Sequence, residues 1–346
     1  MRKIIVALLI LGTFPFVSCS DDSTEIPDSK PENPRDPSEK SSPYITKVLD
    51  YRPAVGQFTN VFPEYKEGDT QETMNQKVLE LIGGDKKGMI TLGGFGGYVV
   101  VGFDHTIQNV PGKRDFRVLG NAFYNAAANA SDPDGGSCEP GVIMVSYDKN
   151  GNGKADDEWF EIAGSSHVDA TKEPWYEMAK AANNDVVTHF NYDITYYRPA
   201  SEPKTEAEME TYIKWEDNLN NEGFKKKNKF HSQCYYPKWI KEDKLTFKGI
   251  TCLPQNGIDT SGNGSLYVLY KFNYGYADNE LNNKTDSGID IDWAVDSNGK
   301  KADLAGVDFI KIYTGVNQEN GDIGECSTEI TGVEDLHLLN VDLPTR

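Results

Sequence analysis

Cysteine is scarce in this chain of 346 residues, with five in all, at Cys19, Cys138, Cys234, Cys252 and Cys326. Their wide, irregular spacing excludes a zinc ribbon, which needs closely paired cysteines. Histidine is as scarce, and His105, His167, His189, His231 and His337 show no ligand spacing, which argues against a transition-metal centre. No Ser-His-Asp or Cys-His arrangement can be singled out. Positive charge is short as well: 35 Lys and Arg stand against 54 Asp and Glu, a formal net charge of −19. Such a surface repels nucleic acid and does not lie flat on anionic lipid, but it is compatible with cations. The one long apolar run, Ile4 to Phe16, is too short to span a bilayer as a mature helix. No repeat of fixed period is present. The glycine-rich stretch at residues 93–97 is no phosphate loop, because no Lys-Ser/Thr follows it and no helix opens after it. Packing and tight turns explain those glycines better.

What is present begins with a leader. Arg2 and Lys3 precede the apolar run, and Phe16-Val17-Ser18-Cys19 reads as a lipoprotein cleavage site with Cys19 as the acylated residue. Residues 20–43 are proline-rich, charged and nearly free of large apolar groups, which predicts a disordered tether. Without Arg2 and Lys3, 33 basic residues face 54 acidic ones, so the mature chain carries −21. Beyond Cys19 four cysteines remain, and an exported compartment leaves both disulfides and free buried thiols open.

Residues 44–346 have globular composition. Asp69 to Ile82 reads as a helix, with Asp69 and Glu72 as a capping pair and Met74, Val78, Leu81 and Ile82 on one face. Around it short strands are punctuated by Gly, Asn and Asp: residues 90–92, 98–103, 115–123, 192–197, 248–253, 266–274, 289–295 and 307–313. One helix among so many short strands predicts an all-β sandwich. Residues 199–245 are more charged and carry an expected helix near Glu206 to Lys214, so they read as a mixed insertion or lid.

The most informative stretch is residues 141–164, two apolar runs around a loop rich in side-chain oxygens. Asp148, Asn150 and Asn152 occupy alternate positions of a D-x-N-x-N-G run, Gly153 allows the turn, Lys154 offers a carbonyl, and Asp156 follows three residues after Gly153. That spacing suits calcium, which takes only oxygen ligands. Trp159 stands where a bidentate Glu would be expected, so Asp157 or Glu158 would have to close the shell. A solvated hairpin loop is the alternative, because Asn-Gly is itself a turn signal. A second polar loop, Asp259 to Gly264, reads as a plain hairpin turn.

Two further groups bear on ligands. Tyr212, Trp215, Phe224, Phe230, His231, Tyr235, Tyr236 and Trp239 are interleaved with amides and carboxylates, a composition that suits a sugar ring or a flat cofactor and equally suits a core. Of these, Trp215, His231, Tyr235, Tyr236 and Trp239 are the candidate ligand-binding residues. On a strand over 289–295, Asp290 and Asp292 would face the same way, roughly 6.5 to 7 Å apart, near the separation in inverting glycosidases. A solvent-facing strand edge would place acids there too.

Taken together, LGGFGGYVVVGFDHTI, DFRVLGNAF, EPGVIMVSYDKNGNGKADDEWFEIAGS, YGYADN, IDIDWAVD and DFIKIYTGVNQ resemble an uncharacterised family of Bacteroidetes cell-surface lipoproteins. Ser20-Asp21-Asp22 after the cysteine resembles the acidic export signal of such proteins. The first half is similar to secreted jelly-roll-like domains. The resemblance implies a jelly-roll-like β-sandwich, lipid-anchored in the outer membrane and facing outward, with no assigned reaction. It further implies capture of a nutrient, a glycan or a corrinoid, beside an outer-membrane transporter. The resulting expectation is a non-catalytic, calcium-stabilised binding module. A carbohydrate-active hydrolase using Asp290 and Asp292, and a structural or adhesive surface protein, are the alternatives.

Overall fold

The hairpin expected at 141–164 is present. In the computed structural model Gly141–Ser146 pairs antiparallel with Trp159–Ile162, Ser146 opposite Trp159 and Met144 opposite Glu161. Both strands belong to a six-stranded sheet in the order Lys47–Arg52, Tyr98–Gln108, Gly306–Thr314, Gly141–Ser146, Trp159–Ile162, Ala294–Val295. Tyr98–Gln108 and Gly306–Thr314 sit at its centre and are buried on both faces, which is why they read as nearly continuous apolar runs. The structure describes residues 35–124 and 132–346. The leader, Cys19 and residues 20–34 of the expected tether lie outside them.

The chain is mostly β, as expected. Its remaining strands divide among four smaller sheets, of four, four, three and two strands. This division does not by itself make a jelly roll. The expected helix spans Gln71–Ile82 and buries Met74, Val78 and Ile82 against the Lys47–Arg52 strand. Its cap is Thr70 rather than Asp69: the Thr70 hydroxyl accepts from the Thr73 amide, while the Asp69 carboxylate is held by the Lys66 amide and Lys77. Thr70→Ala should therefore lower stability by about 1 kcal/mol in denaturant titration, and Glu72→Gln by much less.

Close packing accounts for the glycine-rich bend. A Cβ on Gly97 would lie 1.9 Å from the Leu92 carbonyl oxygen and 2.1 Å from the Ala54 nitrogen, so no side chain fits there. Cys138, Cys234, Cys252 and Cys326 are all free, which decides the cysteine question for the described residues.

Three expectations change. The body reaches back to Arg35 rather than Tyr44: the Arg35 guanidinium pairs at 2.6 Å with Asp308, a buried carboxylate that requires a counter-charge, the Arg35 amide donates to the Thr106 hydroxyl, and the Arg35 carbonyl accepts from the Thr106 amide. Residues 199–245 are less a lid than part of the framework. Their helix is only Glu206–Glu210, and Ile213–Asp217 and Glu222–Lys225 form a hairpin that extends the sheet of His189–Tyr197 and Lys244–Cys252. Finally, 289–295 is not one strand. It breaks into Gly288–Ile289, a turn over Ile291–Trp293 and Ala294–Val295, with the buried Asp290 carboxylate capping the turn by accepting from the Asp292 amide. Asp292 is bonded to Asn109 and Lys301. The strand geometry that would pair Asp290 with Asp292 for catalysis is therefore absent.

Candidate ligand cleft and cation loop

The loop between the hairpin strands folds its own side chains over its amides. The two Asp148 oxygens accept from Asn152 N at 3.0 Å and Gly153 N at 2.8 Å, Asn150 Oδ1 accepts from Asn152 N, and Asn152 Oδ1 accepts from Lys154 N. Gly151 and Gly153 adopt positive φ, which permits this tight path. Asp148 is 7% exposed, and its own amide donates to Asp308 at 2.8 Å, tying the loop to the central sheet. The Asn150 and Asn152 amides converge on Asp156 and hold its carboxyl below the usual carboxylate range. These bonds alone would satisfy a self-contained hairpin loop. One atom is left over: Asp157 Oδ2 is buried and has no hydrogen-bond partner. An orphaned carboxylate oxygen in a loop with four further oxygen-bearing side chains is a donor composition compatible with a hard cation, although the loop's acids are not gathered within 4.8 Å of one another. Asp148, Asn150, Asn152, Asp156 and Asp157 would supply side-chain oxygens and Lys154 its carbonyl. Glu158 is exposed.

Trp159 leaves this loop and enters a cleft of about 340 Å³, together with Met144, Glu161, His167, Phe190 and Asp296. Its rim is apolar and open to solvent: Phe190 is 57% exposed and Val168 70%. Its floor is polar. The Ser166 amide donates to Tyr276 Oη at 3.0 Å, and that hydroxyl meets His167 Nδ1 at 2.9 Å. The other ring nitrogen, Nε2, is thereby the donor to Glu161, whose carboxylate also accepts from the Tyr313 hydroxyl at 3.2 Å. Burial pushes the Glu161 carboxyl upward, but the His167 and Tyr313 interactions more than reverse this and leave it below its ordinary value. Glu161 is thus an ionised acceptor at neutral pH. It suits a hydroxyl donor better than the proton-giving step of a hydrolase.

The aromatic cluster proves to be core for its central members. Tyr235 is 1% exposed, Tyr236 0% and Trp239 5%. Trp239 stacks on Tyr51 at 5.8 Å and on Tyr65 at 6.3 Å, and its indole donates to Gln71. Tyr236 lies under the Arg198 guanidinium and donates to the Glu242 carbonyl. These rings have no face left for a ligand. His231 packs edge-on against Phe58 and stays half-buried, and Trp215 is half-buried in a separate, polar cavity with Tyr192 and Asp217. The five residues do not form one stacking surface.

A place where acids do come within cation-binding reach of one another was not visible in the sequence. Glu139, Asp278 and Glu329 are buried, and one oxygen from each lies within 4.8 Å of the others. Burial and the neighbouring Asp278 charge push Glu139 up to about 8; burial pushes Asp278 up to about 7 and Glu329 upward as well. Three acids so placed share protons or a cation.

No known family model matches the chain, and no characterised protein matches it in sequence. With no relative to carry a role across, the role rests on the geometry.

Proposed function

We propose that this protein is a cell-surface lipoprotein, anchored through Cys19, that binds an extracellular glycan in the Trp159 cleft, with calcium in the 148–158 loop fixing the hairpin that carries Trp159. The observation that carries the reading is the pairing of an aromatic rim, Trp159 and Phe190, with an ionised Glu161 on the floor. A sugar ring stacks its apolar face on an aromatic side chain and donates its edge hydroxyls to such a carboxylate. The size favours a saccharide over a corrinoid, because a cleft of about 340 Å³ takes a sugar ring or two but only the edge of a corrin macrocycle. Capture for an outer-membrane transporter, and a jelly-roll-like ancestry, belong to the same proposal and rest on the sequence motifs. No helix of the described residues is long and apolar enough to cross a membrane.

Trp159→Ala should weaken oligosaccharide binding at least about tenfold in calorimetry, with little change in unfolding temperature because the indole is only half-buried. Failure of the wild-type chain to bind any member of a broad glycan panel would sink the reading.

A further inference from the structure

Beside the glycan cleft, on the same face of the central sheet, lies a pocket whose charge runs against the rest of the molecule. It measures about 280 Å³ and is lined by Arg52, Tyr98, Thr246, Phe247, Lys248 and Lys311, with Gly96 and Ile250. Three cations and no carboxylate line it, in a chain of formal charge −19. The sheet register explains the position. Asp50 pairs with Val100, Val100 with Lys311, Lys311 with Met144 and Met144 with Glu161, so one row of side chains runs from this pocket to the floor of the cleft. The Lys244–Cys252 strand covers both: Phe247 meets Tyr98 edge-on at 6.2 Å, the Thr251 amide donates to the Tyr313 hydroxyl, Lys248 lines the pocket, and Gly249 and Thr251 line the cleft.

Lys311 is the unusual member. Its ammonium lies 4.4 Å from the centre of the Tyr98 ring, and among the described residues it has no ion pair and no hydrogen bond. The two carboxylates that influence it are engaged elsewhere, Asp50 by the Tyr98 hydroxyl at 2.6 Å and Glu161 by His167. Burial accordingly pulls the Lys311 amine below its usual value. A partly buried ammonium with no carboxylate in direct contact is a favourable place for an incoming anion. Arg52 makes only a 3.4 Å contact with the largely exposed Glu242, and Lys248 has no ion pair among the described residues.

We propose that this pocket is an anion subsite, centred on Lys311 with Arg52 and Lys248, that takes the carboxylate or sulfate of an acidic saccharide lying along the adjoining cleft. The inference rests on the glycan reading and narrows it: the cleft holds the ring, and the pocket selects for charge.

Calorimetry of the full chain with trigalacturonate and with its methyl ester tests the two claims separately. The acid should bind at least about tenfold more tightly than the ester at low salt. Lys311→Met should erase that advantage while leaving the ester unaffected, and Trp159→Ala should weaken both. Lys311→Met should not lower the unfolding temperature, since it replaces a partly buried ammonium that has no ion pair among the described residues with an apolar chain of similar length. Lys248→Gln, at an exposed position, should reduce the advantage partially. Equal affinity for acid and ester overturns the anion subsite and leaves the glycan cleft standing. If neither saccharide binds, titration with sodium sulfate decides: a perturbed Lys311 side-chain resonance keeps the anion subsite without the glycan reading, and an unperturbed one removes both.

Discussion

Replacing Glu329 with Gln should raise the unfolding temperature at about pH 9 and leave it almost unchanged near pH 5, when both chains are measured in chelator. The reason is the crowding of Glu139, Asp278 and Glu329, all buried and all with carboxyls pushed upward by burial. A carboxyl whose folded pKa exceeds its unfolded one binds more protons in the native state between the two values. Stability is therefore full at low pH and falls as pH climbs, here from the ordinary carboxylate range through about 7 for Asp278 and about 8 for Glu139. Gln mimics a protonated Glu329, so at low pH the substitution is nearly silent. At high pH it removes one of three mutually repelling buried charges, so the variant is the more stable chain there. Glu325, pushed up to about 8 by burial and by the nearby Glu319, keeps part of the slope in the variant. Millimolar calcium or manganese separates the two ways of neutralising the acids. If a cation occupies them, wild type gains stability at about pH 9 and Glu329→Gln gains far less. A flat wild-type profile from about pH 5 to pH 9 in chelator would show that the three acids do not interact as placed.

These acids illustrate what a sequence hides. Glu139 stands in a loop just before Pro140, Asp278 sits in an irregular segment and Glu329 in a two-residue strand, and only tertiary packing brings them within reach of one another. The cleft has the same character. Trp159 and Glu161 lie two apart on one strand, which period-two reading gives directly, but Phe190 and Asp296 arrive from distant segments. The short separation of Glu161 and His167, on a strand and the helix turn that follows it, is a local signal for their contact. It is a faint one, because neither residue has metal or triad spacing.

What was legible was local. The D-x-N-x-N-G turn between apolar runs announced its hairpin, and the period of Met74, Val78 and Ile82 announced the helix. The segment 199–245 misled because Ile213–Asp217 and Glu222–Lys225 end a sheet and expose many charged side chains, which in sequence resembles an insertion. Its aromatic residues looked like a binding surface for a related reason: composition records ring and amide together but not whether the ring faces solvent. Asp290 and Asp292 failed at the backbone, where the Asp290 side chain closes a turn that a strand would not contain.

The calcium loop gives the sharpest contrast, because two substitutions in it should respond to calcium in the same direction and to its removal in opposite ones. Asp148→Ala deletes acceptors for the Asn152 and Gly153 amides, so it should lose about 1 to 3 kcal/mol even in chelator. In calcium at about a hundredfold over its dissociation constant it should lose up to about 2.7 kcal/mol more, the linkage energy that the ion supplies to wild type. Asp157→Asn replaces a carboxylate whose buried Oδ2 has no partner. In chelator it should therefore be neutral or stabilising, and in calcium it should be destabilising, because the same oxygen is then a ligand. That reversal of sign is measurable as the difference in unfolding temperature between the two buffers. A hairpin loop satisfied by its own amides predicts no reversal, since calcium would then move neither variant relative to wild type. Calcium acting at the buried Glu139 group instead would raise all three chains together and leave the Asp157→Asn difference untouched, so the loop and the interior can be told apart in a single set of melting curves.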